Sequence, residues 1–163
     1  MRLPPESLWS EIAELYRRDL TRLAQEVAAF PDDASLWRVI PGVTNSAGNL
    51  VLHLEGNLRE YLGRQLAGAP FVRNRPEEFA GRGLSRQELA LRIAVLLQTI
   101  PAVLEDLRAE DFAKPYPQEV FGKPISTGQF VIHLQGHFSW HLGQMDYLRR
   151  VLTEGGALDL AQL

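Results

Sequence analysis

The chain has 163 residues and no cysteine. That excludes disulfides, thiolate nucleophiles and zinc sites built on sulfur. No apolar run comes near the roughly 20 residues that a bilayer-spanning helix needs, and the opening MRLPPESLWSEI has no apolar signal core. Together these absences predict a cytoplasmic protein with no membrane partner. Lysine is scarce, with 15 arginines and 2 lysines making up the 17 basic residues. Twenty acidic residues outnumber them, giving a net charge of −3 and a pI of about 5.8. The basic footprint of a nucleic-acid binder is missing both in bulk and as a local run.

What is present is ordinary for a globular chain: 45% hydrophobic and 23% charged residues. The length fits one domain, residues 1–163, with room for a sizeable core. No internal repeat or low-complexity tract interrupts it.

Four long helical patterns fill the sequence, and no strand pattern does. The first runs from Pro5 to about Phe30, opened by Pro4 and Pro5 and ended by Pro31, with Leu8, Ile12, Leu15, Leu23, Val27 and Phe30 at helical spacing. Asp33 to Trp37 suggest a short extra turn. The second starts at Asn45 or Ser46, both good N-caps, and stops at Gly68-Ala69-Pro70. A loop with Arg73, Arg75, Glu77-Glu78-Phe79 and Arg82 follows. The third opens with a Ser85/Glu88 capping box and meets Pro101, which predicts a kink. Residues 110–125, with three prolines, read as a long structureless loop of the kind that is often functional. The fourth starts at Ser126, with Gln129 completing a capping box, and ends before Gly155-Gly156. The tail 157–163 is short and apolar. This pattern predicts an all-α protein, a four-helix bundle, whose core is a common place for metals.

All four histidines fall on two of these helices: His53 on the second, and His133, His137 and His141 on the fourth. Side chains four residues apart on a helix lie one turn apart on one face. Two such imidazoles can converge on an ion, and a third from a neighbouring helix completes a three-nitrogen site with an open position. A lone buried histidine is usually a packed, hydrogen-bonded residue. A series at i, i+4 and i+8 among Phe130, Leu134, Phe138 and Met145 is harder to satisfy that way, because an unpaired ring nitrogen costs roughly 1–3 kcal/mol and Asp146 is the one acid close by on that helix. Spacing alone leaves the pairs His133/His137 and His137/His141 equivalent.

The segment PGVTNSAGNLVLHLEGNLREYLG, with KPISTGQFVIHLQGHFSWHLGQMDYLRR far downstream, resembles the DinB-like (DinB/YfiT) superfamily. The likeness covers the whole chain. Its most specific parts are Gly48-Asn49-Leu50 leading to His53, and the His-x3-His-x-Gly-Gln that ends at Gln144. The resemblance implies a four-helix bundle in up-down-down-up order, often a homodimer. It also implies a divalent transition-metal site, zinc or nickel, on His53, His137 and His141. His133 lies outside that triad, at the pocket edge or in packing. Gln144 and Asn49 are candidate supporting residues around the ligands. Some members of the superfamily are thiol-dependent S-transferases or isomerases, so an external low-molecular-weight thiol is a further implied cofactor.

Three nitrogens plus an open position is the layout of a catalytic metal site. There is no His-Glu-x-x-His to place a glutamate beside the ion. Asn49, Asn57 and Glu60 share the His53 face; Glu60 is a possible base, with a solvated salt bridge as its bland alternative. Tyr116 and Phe121 read as loop anchors or as a lid. The leading expectation is a metal-dependent transferase or hydrolase acting on a small molecule. A non-catalytic metal- or ligand-binding module acting through dimerisation is the alternative. A DNA-related role, suggested by the superfamily name, conflicts with the acidic pI.

Overall fold

A computed structural model describes residues 5–159, so Pro4 and the last residues of the apolar tail lie outside the described part. Five α-helices carry the structure: α1 (Pro5–Ala28), α2 (Ala47–Leu58), α3 (Arg75–Ala80), α4 (Arg86–Glu105) and α5 (Thr127–Thr153). There is no β-strand among the described residues. A 3-10 turn at Ser35–Trp37 matches the extra turn after α1, and a second occupies Ala109–Phe112.

Each long helix has one buried stripe. α1 lies along α4 and also meets α5; α2 packs on α3, α4 and α5. Of the residues expected on the buried face of α1, Ile12, Leu23, Val27 and Phe30 are buried, while Leu8 and Leu15 give way to their neighbours Trp9 and Tyr16. Leu8 is exposed, and Trp9, Ile12, Tyr16, Leu20, Leu23 and Val27 carry the core. The two large rings decide this phase, because each has a polar tip that finds a distant carbonyl. Trp9 Nε1 donates to Arg108 O at 2.9 Å, and the Tyr16 hydroxyl donates to Val131 O at 2.9 Å. A buried ring whose N–H or O–H is satisfied contributes its full apolar area.

The stripe of α4 is Leu89, Ile93, Leu96, Ile100 and Leu104, and the helix passes through Pro101 to Glu105. By length and composition α4 is apolar enough to cross a membrane, which corrects the expectation that no segment is. One third of its apolar window is buried, as the stripe that faces α1, and Leu91 and Val95 on the other side are exposed.

Helix ends follow local chemistry. Ser46 caps α2 by accepting from Asn49 N, and Ser85 with Glu88 forms the complete capping box of α4. Ser126 accepts from Gln129 N, but the reciprocal half of the expected box is absent. α5 ends on Glu154, at φ 54°, one residue before the glycines expected to take the left-handed position. The loop 110–125 is not structureless. Pro115 pairs with Ser126 and Val120 with Lys123 in antiparallel bridges, and Tyr116 N donates to Ile125 O at 2.9 Å. Tyr116 anchors this arm: it is buried, its hydroxyl donates to Tyr61 O at 2.7 Å, and its ring lies 4.3 Å from that of Phe130.

α2 matters most for function. Eleven of its twelve residues are buried, so a polar side chain on it is held in the interior with its partners chosen for it. Directly after Leu58 the chain widens into a π-helical stretch, Arg59–Arg64, before a last α-turn at Gln65–Ala67. Such wide turns recur at functional sites, and this one sets Tyr61 in a cavity wall.

Candidate metal centre

His53 and Asn57 stand one turn apart on α2, facing His137 and His141, one turn apart on α5. Each histidine offers a ring nitrogen, and the three lie within 4.8 Å of one another. His53 Nε2 and His137 Nε2 are 3.2 Å apart. Two nitrogens bound tetrahedrally at 2.0–2.1 Å sit about 3.3 Å apart, so this pair already has the spacing of a shared ion. The rings meet edge to face, with centroids 5.3, 5.1 and 4.5 Å apart and planes at 76–89°. Three nearly perpendicular rings present their nitrogens to one point without stacking.

Hydrogen bonds fix which nitrogen each ring presents. His53 Nδ1 faces the Glu78 carboxylate at 2.9 Å and therefore donates, leaving a lone pair on Nε2. Glu78 is itself buried and clamped by Arg73, whose Nε and Nη2 donate at 2.6 and 2.8 Å. His141 Nδ1 donates to Gln144 Oε1 at 2.7 Å, which again frees Nε2. The Asn57 amide nitrogen, a donor, lies 3.0 Å from both His53 Nε2 and His137 Nε2. Lone pairs converging from separate helices are a cation's environment, and a carboxylate behind the first ring raises its strength as a ligand. The donor set fits a first-row divalent ion.

Burial first, and the neighbouring histidines second, push the His137 pKa down to about 4. Burial also lowers that of His53, against the pull of Glu78. Both are neutral at pH 7, the form that binds metal. The sign of the stability effect follows. For His137 the unfolded chain takes up the proton near pH 6.5 and the folded chain resists until about pH 4; His53 acts in the same direction. Stability is therefore complete above pH 6.5 and is lost as pH falls towards 4. The slope from His137 is at most about 1.4 kcal/mol per pH unit, less for solvent screening of a half-buried ring. The melting temperature of the metal-free protein is expected to drop over that window and to drop less in His137→Gln; equal slopes in the two proteins would contradict this.

The remaining candidates fall into place around the triad. Asn49 does not touch a histidine. It receives the Ser46 hydroxyl and donates to Glu78 O and Gly81 O at 3.0 and 3.1 Å, tying α3 to the start of α2. His133 stays out of the cluster and stacks on Phe130, with Phe121 4.8 Å away. Glu60 is ion-paired with Arg64 and is not directed at the triad. Glu78 and Arg73 are the functional side chains that sequence reasoning missed. A weak sign of them exists in Gly56: a Cβ there would run into Glu78 Oε1, so the glycine keeps a place open for the carboxylate. Removing the carboxylate with Glu78→Ala is expected to weaken metal binding 10- to 100-fold, in the range about 10–100-fold for such outer partners. Glu78→Gln, which keeps an acceptor, should lose less, and an unchanged affinity in both variants would dismiss the orienting role.

Beside the triad opens a cavity of about 390 Å³, with His53, Asn57 and His137 at one side and Tyr61, Phe121 and His133 among its other walls. His141 is not part of its lining.

Known proteins agree with this architecture. Residues 8–160 match a family described as a protein of unknown function, DUF1572. No curated protein sequence matches the chain. Among solved structures, a DinB-like protein from Bacillus cereus ATCC 10987 superposes with a TM-score of 0.69, covering 90% of this chain and 95% of that one at 18% identity. At that identity the likeness speaks for the fold. The chain therefore belongs to the DUF1572 family and has the DinB-like fold.

Proposed function

We propose that this protein is a metal-dependent enzyme that holds one divalent transition-metal ion, zinc or nickel, on His53, His137 and His141 and acts on a small molecule in the adjoining cavity. The observation that carries the reading is the convergence of the three ring nitrogens at the edge of that cavity. Three protein ligands leave a position open. A bound ion there supplies Lewis acidity, lowering the pKa of a water or an external thiol. The chain has no thiol of its own, so the reaction classes proposed are hydrolysis and transfer to or from a low-molecular-weight thiol.

The residues divide the work. Glu78 and Gln144 hold two of the rings in the ligating tautomer. The Asn57 amide faces the shared point, and a half-turn about its last bond exchanges its N–H donors for the carbonyl acceptor. His133, on the cavity wall and outside the triad, is the group placed to move a proton. Metal-stripped protein titrated with Zn²⁺ and with Ni²⁺ should take up one equivalent of either; absence of uptake of both ends the proposal.

The up-down-down-up helix order, a single domain spanning the chain, a cytoplasmic location without nucleic-acid or membrane partners, and a homodimer belong to the same reading. The dimer has one supporting observation. Ile132, Trp140, Tyr147 and Val151 are exposed apolar residues along α5, and contiguous exposed apolar patches mark interaction sites. These residues also favour the second reading, a non-catalytic module working through association. Sedimentation equilibrium decides the oligomeric state.

A further inference from the structure

The molecule that enters the cavity is left open by the metal alone, but the cavity walls restrict it. One wall is aromatic. Phe130 sits at its centre, 5.2 Å from Tyr61, 6.2 Å from Phe121 and 6.3 Å from His133, which is stacked on it. At about 390 Å³ the space is at the small end of the 300–1,000 Å³ typical of small-molecule sites.

The second feature is Phe121 itself. It has φ 59° and is followed by Gly122 at φ 65°, at the tip of a hairpin closed by the Val120–Lys123 bridge. Two left-handed residues in a two-residue turn are the usual setting for Asn-Gly. A bulky side chain in the first position is strained, because its Cβ crowds the following carbonyl. Phe121 is nonetheless 61% exposed, so core burial does not offset that strain. What its ring does is cover His133, 4.8 Å away, and close the cavity from the arm side. Strain at an exposed aromatic that lines a pocket points to a use for the ring.

The third feature is charge. Arg75 lines the same cavity, and its guanidinium lies 5.6 Å from the Phe79 ring. No ion pair joins it to a carboxylate among the described residues, whereas nearby Arg73 is fully engaged by Glu78. Glu119, the carboxylate on the cavity wall, is not paired with it either. A guanidinium left open at a pocket is suited to a carboxylate or phosphate oxygen pair.

We propose that the cavity binds a small anion with a flat apolar body: its ring packs on Phe121, and its carboxylate or phosphate is taken by Arg75. On the metal reading above, the remaining end of the molecule faces His53 and His137. Binding of the anion itself does not depend on that reading, and the test separates the two.

Metal-stripped protein is titrated, by NMR or calorimetry, with 3-phenylpropionate, benzyl phosphate, 3-phenylpropionamide and 2-phenylethylamine. The better of the two anions identifies the acidic group. At least one of them is expected to bind about tenfold more tightly than the neutral amide, and the amine more weakly than either. Arg75→Gln, at an exposed position, should cost the anion about fivefold to tenfold, leaving the amide and Zn²⁺ uptake unchanged. Phe121→Gly, which relieves the strained backbone, should weaken anion and amide alike. An amine that binds as well as the anions, or an Arg75→Gln protein that binds them undiminished, overturns the proposal. Intact anion binding without Zn²⁺ uptake would sink the metal reading alone.

Discussion

Replacing His137 with alanine is expected to lower Zn²⁺ and Ni²⁺ affinity by more than 100-fold, measured by competition with a chromophoric chelator. His137 touches both other rings of the triad and also lines the cavity. Its Nε2 lies 3.2 Å from that of His53 and its ring centroid 4.5 Å from that of His141. Removal leaves one nitrogen from each of two helices and opens the cavity side of the site to water. Loss of an outer-sphere partner alone costs about 10–100-fold, so loss of a ligand should exceed that. The fold should survive, because His137 is only partly buried and the core residues Leu134, Phe138 and Leu142 hold α5. Retention of wild-type affinity would show that the ion, if bound, sits elsewhere. The same substitution at His133 should leave affinity within a few fold, which separates the two histidine pairs that helical spacing leaves equivalent.

The largest effect on stability is expected at Arg149. Its side chain is almost entirely enclosed, with Nε 2.5 Å from Glu26 Oε2 and Nη2 donating to Asp146 Oδ1 and Gly156 O at 3.0 and 3.1 Å. Glu26 on α1 is completely buried, its other carboxylate oxygen has no partner, and burial already pushes its pKa up despite Arg149. Arg149→Ala therefore strands a carboxylate in the interior, at a cost of about 3–5 kcal/mol. At about 2–4 °C per kcal/mol for a chain of this size, the melting temperature should fall by roughly 10 °C. Combining it with Glu26→Met removes the stranded charge and should recover much of the loss. A fall of 1 °C or less in the single variant would mean that the pair contributes nothing to the α1–α5 contact.

These two positions also show what a sequence discloses. Helical spacing discloses the histidine cluster, three on one strongly helical segment and one on a second helix, but it leaves His133/His137 and His137/His141 equivalent, and only the family resemblance points to the triad. The caps at Ser46 and Ser85 are likewise written in neighbouring residues. Glu78 and Arg73 were not legible. They come from a six-residue helix and its approach within a stretch that reads as loop, and their partner His53 is 25 residues away. The pair Glu26–Arg149 spans 123 residues and carries no periodic sign at all. On α1 the expected Ile12, Leu23, Val27 and Phe30 are buried, but Trp9 takes the place of Leu8, because both fit helical spacing. The choice between them rests on a hydrogen bond to Arg108, far along the chain. The π-helical stretch after Leu58 and the left-handed Phe121 oppose local propensity, and both border the cavity, where departures from local rules are expected to gather.

The central claim, that three imidazoles from α2 and α5 share one ion, is tested most directly by X-ray absorption at the metal edge of the Zn²⁺-loaded protein. The account predicts three imidazole nitrogens at about 2.0–2.1 Å and at least one exchangeable oxygen ligand. A first shell of oxygens, or one with fewer than two imidazoles, would contradict it.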